Sequence, residues 1–244
     1  VGENVGTYAI NQGTLALSGN YTLTYVGALL TITPADGKEL DITDYEGVYD
    51  GAPHSITIDN LVDGDEVEYS TDGTTWGSTL PTFTDVTDGE TVYVKVTNPN
   101  YAERNGNGIV KITPKAASVT PDNAGKTYGE ADPAPLTGVL VGFLAGDGVT
   151  ATYSRVAGEN VGDYAISAEL SPTGALSNYE ITYNEGTFTI AKRAITVTAD
   201  AKTKAFGEGD PELTYEITSG DLVGSDTFTG TLERVVGENV GAYA

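Results

Sequence analysis

The chain has 244 residues, with 12 Lys or Arg against 35 Asp or Glu, a formal charge of -23, no Cys, no Met, one His and one Trp. So acidic a chain repels phosphate backbones and anionic headgroups, which disfavours nucleic-acid binding and electrostatic docking on membranes. The lack of cysteine excludes disulfides, thiol nucleophiles, Fe–S clusters and Cys-type zinc sites, and His54 alone cannot build a histidine metal cluster. No apolar run approaches the roughly 20 residues a membrane-spanning helix needs, so membrane insertion is not expected. The chain opens at Val1 without methionine or a signal-peptide pattern and reads as an excerpt from something longer.

In chain order, the sequence begins VGENVGTYAI, followed by the alternating run Tyr21-Thr22-Leu23-Thr24-Tyr25, a turn at Gly27 and Leu30-Thr31-Ile32. That pattern predicts a hairpin with Tyr21, Leu23 and Tyr25 on one face. Further on come YDGAPH at 49–54, YSTDGTTW at 69–76 and the strand-like alternation Val92-Tyr93-Val94-Lys95-Val96. Tight turns are expected at Asp72-Gly73, Asp88-Gly89 and Asn105-Gly106, where glycine supplies positive φ. Next are KTYGEADP at 126–133, AGENVGDYAI at 157–166 and a second exit hairpin carrying Tyr179, Ile181, Tyr183, Gly186, Phe188 and Ile190. The chain closes with the alternating Ile195-Thr196-Val197-Thr198, then KAFGEGDP at 204–211 and VGENVGAYA at 236–244.

These blocks are internal repeats. Gly129 and Gly207 stand 78 residues apart, as do Pro133 and Pro211, and an Asn-Tyr pair precedes an Ile at Asn20/Ile32, Asn100/Ile112 and Asn178/Ile190. The expected domains are therefore 1–34, the C-terminal part of one module; 35–114, a complete module of a second type; 115–192, a complete module of the first type; and 193–244, the N-terminal part of another. In the middle module Glu103 and Asn105 replace the alternating apolar residues, so its exit strand is expected to be exposed or kinked. The two end fragments are complementary, so completion of 193–244 by 10–34, within a longer array or between copies, is expected to make the chain its own partner. The fold class expected is all-β: tandem small β-sandwich or β-grasp-like modules whose short joints at Thr33-Pro34-Ala35 and Thr113-Pro114-Lys115 make a semi-rigid rod.

Candidate sites are few. Trp76 could stack on a sugar, or pack over its own module. Asp63-Gly64-Asp65-Glu66 and Gly146-Asp147-Gly148 offer oxygen ligands of the kind calcium takes, yet Asp-Gly is also an ordinary turn dipeptide. Lys111 and Lys192 lie near module ends, where a Lys–Asn isopeptide bond could form. Gly2-Glu3-Asn4-Val5-Gly6, repeated at 158–162 and 237–241, lacks the Lys-Ser/Thr and helix of a phosphate loop and is expected to be a turn capped by its Glu and Asn, placing Tyr8, Tyr164 and Tyr243 on the next strand. No catalytic residue, cofactor or metal ligand is assigned, and no enzyme activity is expected.

The KTYGEADP block, the LVG segments at 140–142 and 222–224, RVAGENVGDYAI and the NY...TFTI ending resemble MBG-type (YGX) repeats of large bacterial surface proteins and adhesins. The middle module, with VYDGAPHSITI, YSTDGTTW and VKVTNPNY, resembles the YDG-containing immunoglobulin-like repeats interleaved with them. The resemblance implies secreted β-modules displayed at the bacterial cell surface. The function it implies is a stalk or filament segment that presents a distal adhesive region or assembles head to tail, the alternative being an adhesin module that itself binds mucin or other glycans.

Overall fold

A computed structural model describes residues 4–243. The chain divides into two compact units, one holding residues through Ala117 together with Gly142–Gly148 and Pro172–Glu180, the other Ser118–Val141, Val149–Ser171 and Ile181 onward. Both are built from strands, and among the described residues the only helical pieces are 3-10 turns at Ala145–Asp147 and Thr173–Asn178. No helix among them is long and apolar enough to cross a membrane.

In the first unit, β1 (Gly6–Ile10) pairs antiparallel with β2 (Ala28–Ile32), Gly6 opposite Ile32 and Tyr8 opposite Leu30. β3 (Asp41–Thr43) pairs with β5 (Thr57–Asp59), and β4 (Tyr45–Val48), β8 (Tyr101–Thr113), β7 (Thr87–Asn98) and β6 (Glu66–Ser70) form a sheet in that order. Alternation in β7 buries Val92, Val94 and Val96, which join Tyr49, Ile56, Val110 and Ile112 in the core. β4 runs parallel to β8, and Tyr49 continues the pairing by donating its N–H to the Thr113 carbonyl at 2.9 Å.

In the second unit, β9 (Lys115–Pro121) lies between β11 (Gly138–Val141) and β14 (Tyr179–Tyr183), while β10 (Ala124–Thr127), β15 (Gly186–Ala191), β13 (Gly162–Ser171) and β12 (Thr150–Arg155) form a four-stranded sheet. The core gathers Ile166, Phe188 and Ile190, with Ala124, Tyr128, Leu136, Tyr153 and Tyr164 packed against it. β10 and β15 repeat the parallel edge of the first unit, and Tyr128 donates its N–H to the Ala191 carbonyl at 2.9 Å. β16 (Thr196–Ala199) and β17 (Tyr215–Ser219) pair alone, and much of 193–243 is irregular and exposed.

The all-β expectation holds, with corrections. The exit segment is not a hairpin, because β14 and β15 belong to different sheets. Its tyrosines consequently diverge: Tyr179 is buried and Tyr183 exposed. The turn at Gly186 carries the chain from one sheet to the other against Pro121, which a Cβ would meet at 3.0 Å. Residues 21–25 form no strand. In the middle segment the exit is one continuous strand of 13 residues, β8, in which Glu103 and Asn105 are exposed, as expected. Asn105-Gly106 lies inside it, since Gly106 and Gly108 leave room for Ile42 and Ile56. Asp88-Gly89 is a bulge in β7 where the register slips between Thr87 and Glu90, whereas Asp72-Gly73 is the expected turn.

Candidate functional site

The chemistry of this chain concentrates where segments of successive sequence repeats meet. Because β4 runs parallel to the exit strand β8, Tyr49 stands at the end of its sheet, and its hydroxyl donates to Asp147 at 3.1 Å to both carboxylate oxygens. Tyr179 donates to the same carboxylate and accepts the Leu144 N–H at 2.9 Å. The rings of Tyr49 and Tyr179 meet edge to face at 5.6 Å, with Phe143 4.9 Å from Tyr179. Burial, and then the hydrogen bond and charge of Asp147, push both hydroxyls up, Tyr179 to about 12. Gly142 gives the loop its path: φ is +86°, and a Cβ there would lie 2.4 Å from the Ala116 carbonyl.

An asparagine makes the second contact, twice. Asn178 accepts the Val86 N–H and donates to Asp85, both at 2.9 Å. Asn100 likewise accepts the Val5 N–H at 2.9 Å and donates to Asn4 at 3.2 Å. In each case the Asn of an Asn-Tyr pair holds the residue just before a strand of the preceding repeat, β7 or β1, and neutralises a backbone donor that the strand leaves over.

Tyr128 repeats the tyrosine contact. A hydrogen bond to Asp226, and then its charge, raise the Tyr128 hydroxyl, and Val223 packs so closely on Gly129 that a Cβ would lie 2.4 Å from it. The turn Val62–Asp65 has the same backbone bond as Val223–Asp226, from the fourth N–H to the first carbonyl at 3.1 Å. Its carboxylate is used differently: Asp65 pairs with buried Arg104, accepts the Val62 N–H at 2.8 Å and accepts Asn98 at 2.9 Å.

A four-residue ion network joins the two long repeat blocks. Arg155 binds Asp132 through Nε at 2.6 Å and Nη2 at 3.0 Å, reaches Glu159 at 2.8 Å, and donates to the Val156 and Gly158 carbonyls at 2.9 and 2.7 Å. Lys126 closes the ring to Asp132 at 2.8 Å and to Glu159. Arg234, Asp210, Glu238 and Lys204 reproduce every one of these bonds in the last segment. Arg155, and then Lys126, hold the Asp132 carboxyl down at about 2, as Arg234 and Lys204 do for Asp210. The guanidinium of Arg155 also lies over the rings of Phe188 and Tyr164, at 4.7 and 5.5 Å.

The residues singled out from sequence fare unequally. Trp76 is half-buried with the Lys95 ammonium 4.6 Å above its ring, beside a turn in which Asp72 accepts the Thr75 and Thr74 N–H groups and the Ser70 hydroxyl. Of the two acidic turns, the oxygens of Asp65 and Asp147 are engaged by the groups just described. Lys111 pairs with Glu46 at 2.8 Å, and Lys192 is exposed. Of Gly2-Glu3-Asn4-Val5-Gly6, Gly2 and Glu3 lie outside the described residues. In the other copies the glutamate is an ion-pair partner instead of a cap, and it is the Asn carbonyl that acts, accepting Tyr8, Tyr164 or Tyr243 hydroxyl at 2.6, 2.8 and 2.7 Å. Tyr8 and Tyr164 lie on strands as expected, but Tyr243 does not. The ion network and the tyrosine–aspartate contact escaped sequence reasoning, although Lys126/Lys204 and Asp132/Asp210, both 78 apart, carried the signal of the first. Together these groups suit cohesion: Asp65, Asp132, Asp147 and Asp210 each accept from at least two donors within the fold.

The family described as MBG domain (YGX type) matches residues 1–31, 117–189 and 195–244. No curated protein matches the chain. Solved structures similar to it include Drosophila N-cadherin EC1-4, at 7% identity over 65% of this chain and 50% of that one, TM-score 0.28. Human CDH23 EC21-23 is similar at 11% identity over 67% of this chain and 68% of that one, TM-score 0.26. The fibronectin(III)-like modules of Clostridium thermocellum CbhA are similar at 11% identity over 63% and 94%, TM-score 0.23. The chain spans about half the length of the N-cadherin chain it matches.

Proposed function

We propose, for a chain that belongs to the family of MBG domains of the YGX type, a structural function: it is a stalk or filament segment of a secreted bacterial cell-surface protein. Tandem β-modules hold a distal adhesive region away from the cell, and a charge of -23 keeps neighbouring copies soluble and apart. The observation that carries this reading is the repeated joint contact, in which Asn100 and Asn178 grip the start of the preceding strand by the same pair of hydrogen bonds. A protein whose work is to transmit tension gains from joints that are built once and reused, because force passes through every joint in series.

Pulling on single chains tests the proposal. Wild-type segments 35–114 and 115–192 are expected to unfold at distinct, reproducible forces, and Asn178→Ala to lower the force for both. Forces unchanged by Asn178→Ala, combined with micromolar binding of mucin glycans that Trp76→Ala abolishes, would replace the stalk with the glycan-binding alternative. Lys95 lies over one face of the Trp76 ring, so a sugar stacking there would have to displace it or use the opposite face.

A further inference from the structure

Tyr49 and Tyr128 belong to repeats of different sequence type, yet they are placed alike. Each stands just past the parallel edge strand of its sheet, β4 or β10, and gives its N–H to the last carbonyl of the exit strand, Thr113 or Ala191, at 2.9 Å. Within two residues each is followed by a left-handed glycine, Gly51 at φ +78° or Gly129 at φ +84°. One aliphatic side chain of the next repeat rests on that glycine: Leu144 on Gly51, where a Cβ would meet it at 3.2 Å, and Val223 on Gly129. Three residues past the aliphatic side chain stands the carboxylate that the hydroxyl meets. Asp147 lies 98 residues from Tyr49, and Asp226 the same distance from Tyr128.

Two further copies separate the hydroxyl and the carboxylate from the backbone that carries them. Phe206-Gly207 stands 78 residues after Tyr128-Gly129, with Gly207 at φ +89°, so the same backbone can carry a ring without its hydroxyl. Val62–Asp65, between β5 and β6 as Leu144–Asp147 lies between β11 and β12, is the turn with its carboxylate already taken. Asp65 is held by Arg104, by the Val62 N–H and by the Asn98 amide, and its side chain is 2% exposed. Asp147, by contrast, is met by two tyrosine hydroxyls and no cation among the described residues, and one of those hydroxyls comes from the preceding repeat.

We propose that the tyrosine hydroxyl and the open aspartate select which repeats follow one another. A repeat with tyrosine past its edge strand takes as successor a repeat whose aliphatic-x-x-Asp turn holds a carboxylate free of internal cations, and a turn closed from within, as Asp65 is by Arg104, does not take it. Tyrosine against a closed turn would leave a hydroxyl without an acceptor, and phenylalanine against an open turn would take a donor from a charged group. Either mismatch costs the desolvation of an unpaired polar group, and selectivity is the difference between matched and mismatched pairs. The inference rests on the structural reading above and adds to it what decides the order of the repeats.

The test is a double-mutant cycle in the full chain, with Trp76 fluorescence following urea unfolding of 35–114 and hydrogen exchange read at 142–148 in the next repeat. Tyr49→Phe is expected to raise the unfolded-to-folded ratio about tenfold or more and to speed exchange at 142–148. In an Asp147→Ala background the same change is expected to cost less than about twofold, because the hydroxyl has no acceptor left to lose. Asp147→Asn, which keeps the shape of the turn and loses the charge, is expected to fall between. An equal cost of Tyr49→Phe in all three backgrounds, or exchange at 142–148 that Tyr49→Phe leaves unmoved, overturns the inference. Failure of the stalk reading itself would show in the single-chain pulling experiment, whose forces do not depend on the outcome of this cycle.

Discussion

Asp147 accepts two tyrosine hydroxyls, and a carboxylate so placed draws its worth from donors it can obtain in no other conformation. Tyr49→Phe keeps the ring against Tyr179 but removes one donor, and is expected to destabilise the 35–114 segment by about 1.5–3 kcal/mol in urea titration, typical of a hydrogen bond to a charged group. The pH dependence follows from the same sites. Asp132 and Asp210 are held down at about 2 against an unfolded value near 4, so the stability they contribute is present above pH ~4 and lost as pH falls toward ~2. Tyr179, pushed up to about 12, contributes below pH ~10 and loses that contribution between ~10 and ~12. Thermal melts of wild type and Asp132→Asn between pH 6 and 2 are expected to converge at the acid end. Sequence alone showed Asp147 as part of a turn dipeptide. Its partners lie 98 and 32 residues away, and no local pattern reports such distances.

At the scale of strands, periodicity was legible and pairing was not. Val92, Val94 and Val96 alternate inward as the period-two pattern requires. The same pattern at Tyr179–Tyr183 predicted a hairpin with β15, but β14 joins β9 in the other sheet, because a turn at glycine looks alike in sequence whether it folds a strand back or carries it across a sandwich. Asn105-Gly106 misled for a related reason: small residues that permit a tight turn also permit Ile42 to pack against a strand. The two copies of β15 allow a direct comparison. Phe188→Ala should cost about 3–5 kcal/mol by denaturant unfolding, as fully buried aromatics do, whereas Leu30→Ala, at an exposed position, should cost less than about 1 kcal/mol. Gly158→Ala sets a Cβ 2.2 Å from the Tyr164 ring and is expected to lower the melting midpoint of the second unit while leaving Trp76 emission unchanged.

For the whole molecule, period-two alternation and glycine turns carried the all-β class, and the blocks repeated 78 residues apart carried the family resemblance. Charge has a structural counterpart: Lys95, Lys111, Lys126, Lys202, Lys204, Arg104, Arg155, Arg193 and Arg234 are all in ion pairs, so most basic groups serve internal cohesion and the excess acid faces solvent. The joints were hidden because each needs residues from two repeats, brought together only by folding. Trp76, the only tryptophan, sits in the 35–114 segment and reports on it alone, while Asn178 belongs to the next repeat and touches that segment through Asp85 and Val86. The most direct measurement is therefore urea unfolding followed by Trp76 fluorescence in wild type and Asn178→Ala. A midpoint lowered in the variant is expected if the joint couples successive repeats, and an unmoved midpoint would contradict that coupling.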